Sequence, residues 1–263
     1  SILNYSWDFN YGAGPVSSIE NPSYTYDYAN TYNVYLSTTS IYGCTDDTLV
    51  SIIVYHNPVV SFSTTNACES EPATFADLTS SGATPYTYSW DFGDGNSGVF
   101  ANETNNYSSS GTYEVLLTVT TSNGCVGSNT QNVTIYPKPN VSFEILNDCV
   151  NNPINFINTS SDAVSYYWDF PSLSSTSTLQ NPSQTYTTAG TFPVYLTGTS
   201  NMGCTNSDTN SVVVYPLPEI DLGSLNQTCG STYLLDANAG GVNDGSTFLW
   251  STGDITPQYN VTY

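Results

Sequence analysis

Apolar and polar residues alternate along most of the chain, and short clusters of glycine, proline, asparagine and serine separate the alternating segments. The run from Tyr113 to Val119 is typical, because every second residue in it is large and apolar. A period of two is that of a β-strand with one buried face. No segment sustains the period of an amphipathic helix. The pattern therefore predicts an all-β protein built from short strands.

A motif centred on tryptophan returns four times in the 263 residues, reading YSWDF, YSWDF, YYWDF and FLWST. Successive tryptophans are about 80 residues apart, which is close to the size of one β-sandwich domain. We expect each indole to fill the core of its own sandwich. These tryptophans are Trp7, Trp90, Trp168 and Trp250.

Other landmarks repeat with the tryptophans. NPSYTY at 21–26 returns as NPSQTY at 181–186, and GTYEVLLTVT at 111–120 returns as GTFPVYLTGT at 190–199. Proline-containing linkers close the repeats, and linkers this short and proline-rich hold neighbouring domains end to end. We predict a first repeat lacking its opening strands, two complete repeats and a fourth repeat lacking its closing strands. Their bounds are 1–57, 58–138, 139–217 and 218–263.

The repeated motifs resemble PKD (polycystic kidney disease) domains, in particular the cysteine-bearing tandem kind found in very long surface adhesins of gliding bacteria. The resemblance is carried by WDFGDG at 90–95, N-P-S-x-x-Y and G-T-Y-x-V-x-L-x-V, and it covers residues 1 to about 217. Residues 218–263 resemble the bacterial Ig-like repeats that accompany PKD domains. The resemblance implies tandem Ig-like/PKD β-sandwiches in a secreted cell-surface protein. There they would serve as a structural, non-enzymatic stalk or filament in adhesion or gliding.

Charge excludes one class of partner. The chain has a formal net charge of −21, with one basic residue against 22 acidic ones. Affinity for nucleic acid comes largely from Lys and Arg, so we exclude nucleic acid. No window reaches the roughly 20 apolar residues of a membrane span, so we expect no membrane insertion in this segment.

Two aspartates in WDFGDG, Asp91 and Asp94, are candidate calcium ligands, because Ca²⁺ prefers carboxylate and carbonyl oxygens. Some PKD domains resemble this arrangement in binding calcium. The other repeats read WDFNYG and WDFPSL, without the second acid. The competing interpretation, which we favour, is that Asp91 satisfies backbone groups of the turn and Asp94 simply suits a glycine turn. No other cofactor is expected.

Six cysteines occupy two alternating positions in the repeat. No C-x-x-C motif is present, so metal binding is disfavoured, and a secreted chain favours disulfides. The early position precedes the second strand, and the late position follows the glycine of a late hairpin. The early cysteines are Cys68, Cys149 and Cys229, and the late ones are Cys44, Cys125 and Cys204.

Two pairings of these cysteines are open. The simplest is within each repeat, Cys68 with Cys125 and Cys149 with Cys204, which leaves Cys44 and Cys229 to partners outside the segment. However, the two positions should lie at opposite ends of a sandwich, beyond the reach of a disulfide. The alternative therefore joins the early cysteine of one domain to the late cysteine of the next, as in Cys68 with Cys204.

The remaining chemistry of the sequence is sparse. One histidine and no recognisable nucleophile motif disfavour an enzyme. The tripeptide DTL resembles the O-glycosylation signal of the gliding bacteria named above, which makes Thr48 a candidate for glycosylation.

The 22 tyrosines supply broad contact area for self-assembly into fibres, or for cell-surface and polysaccharide ligands. The alternative function is a carbohydrate-binding or spacer module of a secreted polysaccharidase or protease.

Overall fold

The structure, a computed structural model, describes residues 1–217, 232–236, 250, 255 and 258–262. It divides into two compact units, Ser1–Lys138 and Pro139–Tyr263. The regular secondary structure of the described residues is almost wholly antiparallel β-strand, which confirms the all-β prediction. The fold class predicted from alternation alone is therefore correct.

Residues 1–57, the first repeat, form one four-stranded antiparallel sheet with the strand order β2-β1-β3-β4. Phe9 and Val34 are buried against it, whereas Trp7 is half-buried. The strands are β1 (Ile2–Asp8), β2 (Val16–Ser17), β3 (Asn30–Ser40) and β4 (Thr45–Val54).

Residues 58–138, the second repeat, form a complete sandwich of a three-stranded sheet, β10-β7-β5, on a five-stranded sheet, β6-β12-β11-β8-β9. The pairing of β6 with β12 is parallel. The strands are β5 (Phe62–Thr64), β6 (Ala67–Cys68), β7 (Pro72–Asp77), β8 (Thr87–Asp91), β9 (Ser97–Gly98), β10 (Asn102–Asn106), β11 (Gly111–Thr120) and β12 (Val126–Tyr136).

Residues 139–217, the third repeat, have the same plan: a sheet ordered β13-β15-β18 on a sheet ordered β14-β20-β19-β16-β17. A 3₁₀-helix, Pro171–Leu173, replaces the glycine turn after the tryptophan strand. The strands are β13 (Phe143–Ile145), β14 (Asp148–Cys149), β15 (Pro153–Asn158), β16 (Ser165–Phe170), β17 (Ser175–Ser177), β18 (Ser183–Thr185), β19 (Gly190–Thr199) and β20 (Thr205–Tyr215).

In the fourth repeat the structure describes two paired strands, β21 (Thr232–Asp236) and β22 (Gln258–Thr262). Trp250 is partly buried. The rest of this repeat, including Cys229 and most of the sequence that carries the Ig-like resemblance, lies outside the described residues.

The core of each sandwich is built around its tryptophan. Trp90 is 1% exposed and Trp168 is 0% exposed. Each indole meets a phenylalanine of the three-stranded sheet edge-on at 5.0 Å, Phe62 in the second repeat and Phe143 in the third. Burying an aromatic side chain and pairing it edge to face contribute together to stability. The predicted inner face of β11 is also buried, at Val115, Leu117 and Val119.

The indole N–H makes the same hydrogen bond in three repeats. Nε1 of Trp7, Trp90 and Trp168 donates to a backbone carbonyl 11 or so residues further along the chain. The acceptors are the carbonyls of Ile19 (3.0 Å), Phe100 (2.8 Å) and Leu179 (2.9 Å). In the two complete sandwiches the bond satisfies a donor that would otherwise be buried unpaired, and it fixes the path of the chain between the two sheets.

A tyrosine hydroxyl closes the turn after the tryptophan strand. Tyr26 Oη donates to the carbonyl of Phe9 at 2.9 Å, and Tyr107 Oη donates to the carbonyl of Phe92 at 3.0 Å. The corresponding Tyr186 hydroxyl is buried without a hydrogen-bond partner among the described residues. Burial raises the pKa of both Tyr107 and Tyr186 to about 12. The third repeat therefore has the buried tyrosine ring but lacks the hydrogen bond from its hydroxyl.

These two tyrosines give a matched test of that hydrogen bond. Tyr107→Phe should lower the free energy of unfolding by about 0.5–1.5 kcal/mol, because the carbonyl of Phe92 loses its donor. Tyr186→Phe should be neutral or stabilising, since it removes an unpaired buried hydroxyl. Urea unfolding of both variants measures the difference. Equal losses in the two variants would contradict the assignment.

Candidate functional site

The last strand of each complete sandwich, β12 or β20, begins at one end of the sandwich, which we call the entry end. It finishes at the opposite end, which we call the exit end. In the second repeat β12 begins at Val126, directly after Cys125, and ends at Tyr136. Cys68 lies beside Tyr136 in the parallel pairing of β6 with β12. The strand has 11 residues, so it spans about 33 Å at a rise of ~3.3 Å per residue. The early cysteine is therefore at the exit end and the late one at the entry end.

The third repeat has the same arrangement. Cys204 directly precedes β20, which begins at Thr205, and Cys149 pairs with Tyr215 where β20 ends. In both repeats a two-residue strand, β6 or β14, pairs in parallel with the end of the last strand. This pairing places each early cysteine at the exit end.

These positions correct the within-repeat pairing expected from the sequence. A disulfide requires a Cα separation of about 4.4–6.8 Å, whereas the length of the last strand separates Cys68 from Cys125, and Cys149 from Cys204. Accordingly, Cys125 and Cys149 are free thiols in the structure, as is Cys44. Cys68 and Cys204 are each disulfide-bonded.

At the entry end, the arriving linker packs against the start of the last strand. A Cβ atom on Gly127 would lie 2.5 Å from the carbonyl oxygen of Pro58, so this close approach requires glycine. In the third repeat Asn206 takes the place of Gly127, and its Nδ2 donates to the carbonyl of Pro139 at 3.0 Å. In both sandwiches the linker proline thus rests against the second residue of the last strand.

The exit end of the second repeat is held by Glu69, which follows Cys68. Its carboxylate accepts hydrogen bonds from the backbone N–H of Ser110 at 2.7 Å and of Lys138 at 3.3 Å. These bonds hold the pKa of Glu69 below its usual value, Ser110 contributing most. Lys138 Nζ lies 3.3 Å from Glu71 Oε1. The only lysine of the chain is therefore used to fix the end of this repeat.

The two candidate calcium ligands lie in the turn after β8. Asp91 Oδ1 accepts from the backbone N–H of Gly93 at 2.9 Å. Asp94 accepts from the backbone N–H of Asn96 at 3.0 Å and from the side-chain amides of Asn96 and Asn105, at 3.0 and 2.7 Å. A cation would need acceptors where these amides present N–H donors. Within the described residues no cluster of three or more His, Cys, Asp or Glu side chains is placed to hold a metal.

The outer surface carries the remaining candidates. Thr48 is exposed on β4, the edge strand of the first sheet. Tyr167 on β16 and Tyr195 on β19 are exposed on neighbouring strands, opposite Thr197 and Asp169 respectively. The two tyrosines are diagonal neighbours on one face, close enough for long side chains to act together.

No helix within the described ranges is long and apolar enough to cross a membrane.

Comparison with known families and structures adds the following. The family model described as "PKD domain" matches residues 55–135 and 146–214, more than half of the chain. No curated protein sequence matches.

Three solved structures illustrate the similarity to known folds. The PKD1 domain of Vibrio anguillarum Epp is 22% identical, covering 32% of this chain and 99% of that one, with a TM-score of 0.30. The PKD1 domain of the Vibrio cholerae metalloprotease PrtV is 28% identical, covering 31% and 99%, with a TM-score of 0.28. A solved chain from a study of host cell surface retention of a 1.5-MDa bacterial ice-binding adhesin is 12% identical, covering 83% of this chain and 87% of that solved chain, with a TM-score of 0.38.

The turn after β8 generates a prediction about calcium. Millimolar Ca²⁺ should leave the melting temperature of the chain unchanged, because Asp94 is already occupied by amide donors. Asp94→Asn should destabilise the second repeat by about 1–3 kcal/mol through loss of a charged acceptor.

Thermal melts with and without Ca²⁺ measure both effects, and Asp27→Asn, an exposed acid outside this turn, is the control. A calcium-dependent rise in melting temperature that Asp94→Asn abolishes would establish a calcium site instead.

Proposed function

Because the chain belongs to the PKD domain family, we propose that it is a structural, non-enzymatic segment of an extracellular bacterial surface protein. In this proposal it serves as a stiff, disulfide-stabilised stalk or fibre of an adhesin or filament in adhesion or gliding. Its localisation is the cell surface or the extracellular space. The domain bounds of 1–57, 58–138, 139–217 and 218–263 are part of this proposal.

The observation that carries the proposal is the repetition of one self-contained sandwich. The second and third repeats bury separate cores with the same aromatic partners around Trp90 and Trp168. Since each core is complete without its neighbour, repeats can be added in series without any change to the core. A long array of this kind transmits force or spans distance, which is the role of a stalk.

The distribution of ionisable groups supports a non-catalytic role. His56, the single histidine, lies in the linker that follows β4, and the single lysine is committed to Glu71. General acid–base and nucleophilic catalysis require such groups to converge on a cleft.

Self-assembly is the first partner we consider. The tyrosine face of Tyr167 and Tyr195 offers rigid amphipathic area, and at low salt the charge of −21 opposes its close approach to a second copy. Lateral association into fibres would therefore be favoured by salt. Because β4 is an edge strand, its backbone is open to pairing with a strand of another chain. Attachment of sugar at Thr48 would modify this edge.

Electron microscopy of native material shed from cells tests the stalk. We expect long thin threads with a bead spacing of about 40 Å, near the length of a sandwich whose strands rise ~3.3 Å per residue. Compact particles carrying a short tail would contradict the proposal and would make the segment a spacer attached to another domain.

The same pair of tyrosines favours a second candidate function, a carbohydrate-binding or spacer module of a secreted polysaccharidase or protease. Adjacent exposed rings can stack on successive sugar rings. Under this alternative the chain should be retained on chitin or cellulose columns, and Tyr167→Ala or Tyr195→Ala should reduce retention at least several-fold. Tyr42→Ala, an exposed ring in the first repeat, is the control. Passage of the unaltered chain without delay would exclude this candidate.

A further inference from the structure

We propose that the first repeat is an acceptor site for a β-strand supplied by a second molecule. The site is the inner face of the sheet β2-β1-β3-β4, which carries Trp7 and Leu36. The strand that it accepts has the pattern of β7 and β15, in which an apolar residue is followed two positions later by phenylalanine. This inference goes beyond the stalk proposed above and does not depend on it.

Shared cross-strand pairs show which positions of the three repeats correspond. In each repeat the tryptophan lies opposite a leucine, and an aromatic residue on the strand of that leucine lies opposite a branched apolar residue of the last strand. The first pairs are Trp7–Leu36, Trp90–Leu117 and Trp168–Leu196. The second pairs are Tyr32–Ile52, Tyr113–Val133 and Phe192–Val212. The sheet of the first repeat therefore has the same inner face as the five-stranded sheets of the complete sandwiches.

A three-stranded sheet covers this face in the complete sandwiches, where Val133 and Val212 are both 0% exposed. In the first repeat the described residues form no second sheet. Ile52 is accordingly 41% exposed, and Trp7 and Leu36 are half-buried. Because burial of apolar surface is favourable, the inner face of the first repeat favours a covering strand.

The backbone edge for such a strand is also present. Residues 102–106 form β10, which pairs with β7, and residues 183–185 form β18, which pairs with β15. Residues 21–25 correspond to them, because the neighbouring Ile19 and Tyr26 make the indole and tyrosine hydrogen bonds of this repeat. In the part of the chain that the structure describes, residues 21–25 pair with no strand. Their backbone N–H and C=O groups are therefore open to an incoming strand.

Tyr24 occupies the place that the incoming phenylalanine would take. Phe75 and Phe156 of the covering sheets each pack on the phenylalanine of their WDF motif, with ring centroids 5.0 Å apart in both sandwiches. In the first repeat the ring of Tyr24 packs on Phe9 at 4.6 Å. The residues at the corresponding position of the other repeats are Asn105 and Gln184. An aromatic ring thus stands at this position in the repeat whose inner face is uncovered, and an amide stands there in the two covered ones.

The two covering strands define the chemistry of the occupant. Ala73 and Phe75 of β7 are buried, as are Ile154 and Phe156 of β15, and the residues between them are exposed. An accepted strand therefore needs an apolar residue, a polar residue and a phenylalanine in succession, so that its alternate side chains enter the core. Within residues 58–217 both strands of this pattern already pair inside their own sandwiches. The occupant is therefore a strand of another polypeptide molecule.

Binding of a synthetic peptide to the whole chain tests the proposal. The probe is a fluorescently labelled peptide of residues 58–80, which contain β5 and β7, with the substitution Cys68→Ser. Fluorescence anisotropy should show saturable binding. Hydrogen exchange should slow at residues 21–25 on binding and stay unchanged at 102–106, which already have a partner strand.

Matched variants of the peptide and of the chain identify the contact. A peptide with Phe75→Ser should bind at least tenfold more weakly, because it cannot fill the place beside Phe9. Tyr24→Gln, which introduces the residue of the third repeat, should bind the original peptide several-fold more tightly, since no ring has to leave Phe9. Tyr42→Ala, in the exposed hairpin between β3 and β4, is the control and should leave binding unchanged.

Three results with the peptide would overturn the proposal: no saturable binding to either the unaltered chain or Tyr24→Gln, equal binding of the Phe75→Ser peptide, or slowed exchange at 102–106 instead of 21–25. Sedimentation of the chain alone gives a fourth. Dimers that excess peptide does not dissociate would assign the face to a second copy of this chain and would equally overturn the proposal. None of these results bears on whether native material forms threads, so failure of this inference is distinct from failure of the stalk.

Discussion

The hydrogen bond from the buried indole to a backbone carbonyl is the interaction on which both complete sandwiches depend. Burial of Trp90 stabilises the core only if its N–H has a partner, because an unpaired donor at this depth would cost about 1–3 kcal/mol. The partner is the carbonyl of Phe100, at the start of the connection from the five-stranded to the three-stranded sheet. One bond therefore satisfies the core and sets the crossing between the two layers.

This constraint also explains an exposed apolar position that recurs in three repeats. Ile19, Phe100 and Leu179 are 65%, 69% and 65% exposed, although all three are large and apolar. Their carbonyls face the indole, so their side chains are held in loops beside the sandwich rather than in its core. Local backbone geometry, and not the packing of these side chains, accounts for their exposure. Each of these three repeats consequently presents one apolar side chain at the same place.

The sequence predicted the strands and the buried indoles because both leave a local signal. Alternation identified the inner face of β11 at Val115 and Leu117, and the spacing of the WDF motif identified Trp90 and Trp168 as core. The ends of the sandwich left no such signal. The within-repeat pairing of Cys68 failed because a two-residue strand, β6, pairs in parallel with the far end of β12, and two residues are too few to show a period.

Contacts at the linkers were missed for a related reason. Gly127 reads like any strand glycine, and the requirement for it comes from a proline carbonyl 69 residues earlier in the chain. Glu69 reads like any surface acid, although its partners are the backbone N–H groups of Ser110 and Lys138. A single sequence shows which residue types are present, whereas these roles depend on pairs brought together by the fold.

The charge of the chain limits which interactions can restrain the linkers between such repeats. With 22 acidic residues and a single lysine, which pairs with Glu71, the chain has almost no cations for further salt bridges, and its like charges repel one another. Repulsion between the acidic residues falls off within a Debye length of about 8 Å at physiological salt. Restraint that persists in salty water must therefore be covalent or steric. Prolines in each linker supply a steric restraint without requiring any positive charge.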